Sequence, residues 1–317
     1  MIESRTGISM NADMVDGSVD RLHEHLGYIE GSGARWAEMI FHGLDVVVNG
    51  KLDTAQVQKI RDTAARHDLR YSLHLPYVLN LLDPVRGAIY TDVFRAGLQF
   101  ASELHMPVVV YHASSATLSP ERLERHYYPR YGNKQTDLIW NSLREEEAQA
   151  LGRLADEAER LGVSIGVENP MFADEVNVRS YGAMPEDLAG HVGALGRKNV
   201  GVTLDFGHLF LSSVQFGFDY LQGVRTLAPR TIHTHVHDNF GTRDPGGPYI
   251  QRLPYGLGDL HLPPGAGAIP LGPALKELAA ARYSGLLMLE IEFRMYPRFP
   301  EHVAAAARLF QANGLDR

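Results

Sequence analysis

An α/β fold, a single (β/α)8 TIM barrel with long loops on its C-terminal face, is the architecture that this chain of 317 residues predicts. Three observations predict it. Eight short β-rich runs alternate with longer stretches of helical periodicity. No G-x-G-x-x-G opens a helix after the first run, which removes the signature of the competing doubly wound sheet. Metal-type side chains close most of the runs, at the end where barrel enzymes keep their active sites. Length alone admits two domains, but one barrel of this class reaches the same size. No repeat or low-complexity linker divides the chain, so one domain over residues 1–317 is expected.

In order, the expected strands are residues 6–10 (TGISM), 36–41 (WAEMIF), 70–75 (RYSLHL), 107–112 (PVVVYH), 163–168 (VSIGVE), 200–205 (VGVTLD), 231–236 (TIHTHV) and 286–291 (LLMLEI). Helical patterns fill most gaps and are clearest at 54–67, 90–104 and 143–162. The last spaces its apolar residues three and four apart, with charges on the opposite face. Two connections are longer than such units need, 114–137 and 239–258, and both are rich in aromatic, Pro, Gly and Arg residues. Both follow strands, so both belong on the C-terminal face, as lids over a small substrate.

Composition narrows the function. With 30 Lys+Arg against 38 Asp+Glu the net charge is −8, which argues against a general nucleic-acid coat protein. It leaves open an enzyme with a local metal-lined cleft. Without cysteine there is no disulfide, thiolate metal site or cysteine nucleophile. The first ten residues have no basic stretch followed by an apolar one, and no run approaches the roughly 18 apolar residues of a membrane span. The expectation is a cytoplasmic protein without a membrane partner. Fifteen histidines point to nitrogen and oxygen ligand chemistry.

The strand ends carry that chemistry. His74, His112, Glu168 and Asp205 end the third to sixth strands, and His235 and Glu290 lie near the ends of the seventh and eighth. His208 follows Asp205 by three, while Asp259 and His261 are two apart and, in extended chain, point to one side. Parity agrees: His233, His235 and His237 share one strand face. Ser72, Val110, Gly166 and Thr203 lie two positions before several ligands, one layer deeper. His233 is read as an interior residue, and His237 as a support of the site or a substrate contact. Any one of these residues has an ordinary structural explanation. Converging acids, however, repel unless a cation offsets them.

In chain order, HLPYVLNL (74–81), YHASS (111–115), GVENP (166–170), LDFGHLF (204–210), HVHD (235–238), DLHLPPGAG (259–267) and LEIEF (289–293) resemble the xylose isomerase-like barrels. Within them the nearest pattern is apurinic endonuclease family 2, which includes endonuclease IV. That resemblance implies up to three divalent ions, zinc or else manganese. His74, His112 and Glu168 would hold one, and Glu168, Asp205, His235 and Glu290 a second, with Glu168 bridging. His208, Asp259 and His261 would hold the third. Tyr77 matches an aromatic that enters DNA. The chain departs from that branch where FHGLDVVVNGKLD replaces a basic, aromatic loop after the second strand, and where Ala266 stands in place of an acid. A nucleic-acid substrate is therefore not favoured.

The first expectation is metal-assisted hydrolysis of a small phosphate ester, with Glu168, Glu290 and His208 catalytic and Tyr77, His237 and Arg243 on the substrate. Arg122, Arg125 and Arg130 of the first long loop are further candidate anion contacts. The alternative is a single-metal sugar or sugar-phosphate isomerase or epimerase, in which Glu168 and Glu290 shuttle a proton. A barrel that binds without turnover is the third reading.

Overall fold

The computed structural model describes residues 2–170, 177–243 and 247–315. Eight parallel strands close into a barrel: β1 Thr6–Ser9, β2 Trp36–Ile40, β3 Arg70–His74, β4 Val108–His112, β5 Ser164–Glu168, β6 Val200–Asp205, β7 Thr231–Val236 and β8 Leu286–Leu289. Each strand pairs with its neighbours in sequence, and β1 pairs with β8 to shut the ring. The expected strands are all present, most of them shorter by one or two residues. β8 stops at Leu289, so Glu290 lies just past its strand.

The helices form the outer layer. Those expected at 54–67 and 90–104 run over Thr54–Ala64 and Gly87–Glu103. Asp53 starts the first by accepting hydrogen bonds from the backbone N–H of Ala55 and Gln56, donors that the first turn otherwise leaves unpaired. The helix expected at 143–162 is longer, Thr136–Leu161, and takes over the end of the 114–137 connection. Between strands and helices lies the main apolar core, with Ile8, Leu73, Val109, Ile165, Leu204 and Leu287 fully buried against helix residues such as Phe94, Phe100 and Leu154.

The barrel interior is a second, different core. Glu38, Ser72, Thr203, His233 and Met288 are fully buried there. Gly166 belongs to the same layer, because a Cβ at that position would lie 2.1 Å from Thr203 Oγ1. A polar layer of this kind needs internal hydrogen-bond partners, since an unpaired buried polar group is costly.

Both long connections are built rather than merely tolerated. Within 114–137, Ser115–Thr117 pairs antiparallel with Val178–Ser180. Leu118, Leu123 and Tyr127 then pack with Leu82, Ile139 and Leu143 in a separate apolar cluster. The 239–258 connection turns helical at Tyr249–Arg252; its residues 244–246 lie outside the described ones. Among the described residues, no helix is long and apolar enough to cross a membrane.

Candidate metal centre

Parallel strands in register bring their last residues to one level. His112 of β4 lies beside Glu168 of β5, and Asp205 of β6 beside His235 of β7. Asp205 has two tasks: it ends β6 and caps the helix Phe206–Phe216, accepting the N–H of His208 at 2.6 Å. That cap turns His208 back over the strand end. Gly207 is required by the same packing, because a Cβ there would lie 2.0 Å from the ring of His237. Asn169, just after β5, ties β5 to β6 by exchanging hydrogen bonds with the backbone of Asp205.

The sequence-predicted ligands assemble into three groups whose ligand atoms lie within 4.8 Å of one another. The first is His74, His112 and Glu168, and the second is Glu168, Asp205, His235 and Glu290. The third is His208, His237, Asp259 and His261. Glu168 links the first two. Its Oε2 lies 3.3 Å from His74 Nε2 and 3.2 Å from His112 Nε2. Its Oε1 lies 3.3 Å from His235 Nδ1. His237, expected as a support of the site or a substrate contact, is fully buried as a member of the third group and does not line the cavity.

The far nitrogen of each ring shows how the rings are aimed. His74 donates Nδ1–H to the Leu75 carbonyl at 2.6 Å, His208 to the Asn169 carbonyl at 3.1 Å and His261 to the Glu290 carbonyl at 3.0 Å. A carbonyl only accepts, so each bond places a proton on Nδ1 and makes Nε2 the nitrogen turned to the centre, where metal would displace any proton it carries. His237 is held through Nε2 by Asp205, and His235 through Nε2 by Glu38 at 2.8 Å. His261 adopts this pose with φ of 46°, a left-handed backbone uncommon outside glycine. Strain of that kind concentrates at functional sites.

Six of the ligand-facing atoms make no hydrogen bond within the protein, whereas Asp259 Oδ2 contacts His208 Nε2 at 3.3 Å and His261 Nε2 at 2.5 Å. Both Glu168 carboxylate oxygens, His235 Nδ1, His237 Nδ1, Asp259 Oδ1 and Glu290 Oε2 are buried without a hydrogen bond. Carboxylate oxygens and imidazole nitrogens converging on one volume fit a cation, because both offer it electron pairs. Electrostatics agree. Burial alone would raise Glu168, but His112 and His235 hold it well below the usual carboxylate range. Burial would lower His261, but Asp259 and Glu290 push it up to about 10. Without a cation, protons take over part of that neutralising role.

The centre opens into a cavity of about 1060 Å³. His74, His112, His208, Asp259, His261 and Glu290 line its floor, and Tyr77 stands at the rim, 63% exposed and edge-on to His42 at 5.4 Å. Ser115, Thr117, Val178 and Ser180 of the antiparallel pair form one wall. Arg243, expected on the substrate, is exposed and not among the lining residues. The helical turn at Tyr249–Arg252 brings Arg252 to the cavity instead, where it donates to the Asp259 carbonyl at 3.0 Å. Arg122, Arg125 and Arg130 stay on the surface, the last two paired with Glu121 and Glu146. Asp13, Asp83 and Arg86 also line the cavity.

Sequence reasoning missed Arg252, Asn169 and Glu38. A signal for Glu38 was available: a lone charge in the middle of the apolar run WAEMIF needs a buried partner.

A closed parallel barrel with carboxylates and imidazoles at its strand ends defines a class of metal-site enzyme fold, and the sequence agrees with it. Residues 26–312 match the xylose isomerase-like TIM barrel family, and the chain belongs to that family. An uncharacterized protein of Methanocaldococcus jannaschii, MJ1311, is 24% identical over 262 residues, spanning 80% of this chain and 76% of that protein. Among solved structures, a D-tagatose 3-epimerase-like protein superposes with a TM-score of 0.68 at 20% identity, over 97% of this chain and 98% of that one. A D-psicose 3-epimerase, determined in the presence of D-fructose, gives 0.65 at 14% identity, over 96% and 99%. These likenesses carry the fold.

Proposed function

We propose that this chain is a divalent-metal-dependent isomerase or epimerase of a small sugar, with Glu168 and Glu290 as its proton-transferring pair. The observation that carries the reading is the second ligand group. Its two glutamates converge on one imidazole nitrogen, 3.3 Å (Glu168 Oε1) and 3.2 Å (Glu290 Oε2) from His235 Nδ1. Glu168, Asp205, His235 and Glu290 would hold the ion, most plainly manganese, magnesium or zinc for such a mixed oxygen and nitrogen set. A divalent ion there supplies Lewis acidity that acidifies the C–H beside a sugar carbonyl.

The chain does the rest. One carboxylate takes the proton from carbon, and the other returns a proton to the opposite face, so that configuration inverts with no net change in atoms or oxidation state. His208 steadies a substrate hydroxyl, and Tyr77 and Arg252 close the rim. The lining favours this order of preference over the one that the sequence motifs suggested. Outside the ligand groups the lining balances two carboxylates, Asp13 and Asp83, against two guanidiniums, Arg86 and Arg252, among uncharged groups such as Asn11, Asn80, Ser115 and Thr117, which suits a neutral polyol. The D-psicose 3-epimerase and the D-tagatose 3-epimerase-like protein that share the fold lend the same support.

Phosphate-ester hydrolysis is the second reading, and the first and third ligand groups favour it. Three divalent ions would turn the floor of the cavity positive and admit a dianion. Elemental mass spectrometry of metal per chain, run beside a screen of ketoses and phosphate esters, separates the two. About one ion per chain with epimer formation supports the proposal. About three per chain with phosphate release and no epimer overturns it.

A further inference from the structure

We propose that Glu38 is a positioning residue for the metal: it locks His235 in the tautomer that presents Nδ1 to the centre, and so sets the affinity of the group Glu168, Asp205, His235 and Glu290. The inference rests on reading that group as a metal site.

Glu38 lies in the middle of β2 and is fully buried. Its Oε1 is 2.8 Å from His235 Nε2, and its Oε2 is 2.8 Å from His233 Nε2 and 3.1 Å from Ser72 Oγ. Three donors from β3 and β7 therefore converge on one carboxylate in the floor of the barrel. These are hydrogen-bond separations. Glu38, His233 and His235 also lie close enough to share an ion, but Glu38 already accepts from both rings and from Ser72, so the set serves as support behind His235 Nδ1.

Stability does not explain a carboxylate at this depth, since buried ionic sets are often matched by well-packed apolar side chains. Its neighbour does. His235 Nδ1 faces Glu168 Oε1 at 3.3 Å, Glu290 Oε2 at 3.2 Å and Asp205 Oδ2 at 3.7 Å, so one ring nitrogen is central to the whole group. A ring flip or the other tautomer would remove that lone pair. For His74, His208 and His261 the task of fixing the ring falls to a neutral main-chain carbonyl. For His235 it falls to a carboxylate, a stronger acceptor that also raises the basicity of the ligating nitrogen. His233 and Ser72 hold the carboxylate in place, which gives the otherwise unused His233 its role.

The test uses the full chain and two readouts other than turnover. Histidine tautomers are read by long-range ¹H–¹⁵N NMR on protein saturated with diamagnetic Zn²⁺, where the ligating nitrogen carries no proton. Affinities for Mn²⁺ and Zn²⁺ are read by competition with a chelating dye, with melting temperature tracking the fold. The expected result for wild type is His235 in the Nε2–H form. Glu38→Ala is expected to lose that signature and to bind metal about 10–100-fold more weakly. Glu38→Gln keeps one acceptor oxygen, so it is expected to fall between the two, and it carries the test if the alanine variant does not fold. Folded Glu38 variants with wild-type affinity and an unchanged His235 tautomer would overturn the inference while leaving the metal reading intact. Wild type that binds no more tightly than His235→Ala would overturn both.

Discussion

Glu168 is the residue on which the chemistry turns. Its two oxygens face different imidazole sets, and His112 and His235 keep it ionised despite complete burial. Glu168→Gln and Glu290→Gln are each expected to lower kcat by about 10²–10⁴-fold, the usual worth of a positioned acid or base, with circular dichroism unchanged. A small effect of either would remove that residue from the proton path. His261 makes a pH prediction whose sign is fixed. Its pKa in the metal-free fold is about 10, raised from 6.5. The stability that it contributes is complete below about pH 6.5 and is lost as pH rises through 10. Metal must displace that proton, so affinity moves the other way. The metal-free melting temperature is expected to fall across that window while the apparent metal Kd tightens; a Kd independent of pH would contradict the arrangement. The candidate ligands that end strands were legible because charged side chains there break an otherwise apolar pattern, and Asp259 and His261 because their spacing points both side chains one way. Which of its two expected roles His237 would take, and that Arg243 would stay outside the cavity lining, were not legible because parity and composition do not report depth or reach.

The loop 259–267 is held by one carboxylate. Asp238 accepts the backbone N–H of Asn239 at 2.9 Å, Gly265 at 2.9 Å and Ile269 at 3.1 Å, and its backbone bridges to Leu262. This clamp stands behind Asp259 and the strained backbone of His261. Asp238→Ala leaves three main-chain donors unpaired, at about 1–3 kcal/mol for each one that stays dry. The expected outcome is a lower melting temperature together with loss of the third ligand group, read as weaker metal binding. Metal binding unchanged in a destabilised variant would show that the loop is held by other contacts. Strands and their order were legible from short apolar runs. The antiparallel pair Ser115–Thr117 with Val178–Ser180 was not, because its partners are some sixty residues apart and only three residues long. Its sequence carries too little periodicity to be told from loop.

Across the whole molecule, the barrel collects carboxylates from β5, β6 and the segments after β7 and β8 into one volume, where protons on neighbouring histidines offset only part of their charge in the metal-free fold. Metal binding should therefore stabilise the fold. Free metal at 100 times its Kd adds about 2.7 kcal/mol for one site. Differential scanning calorimetry with and without chelator is expected to show that increment, and equal melting temperatures would exclude a resident ion. Asp259→Ala divides the two chemistries: epimerisation at a single group survives within a modest factor, whereas three-ion hydrolysis collapses. The most direct measurement follows the proton itself. Metal-loaded protein is incubated with ketoses in D₂O, and products are followed by NMR. The account predicts deuterium at the carbon beside the carbonyl, appearing with the epimer or isomer and abolished in Glu168→Gln and Glu290→Gln. Phosphate release from esters under the same conditions, with no deuterium entering any sugar, would contradict it.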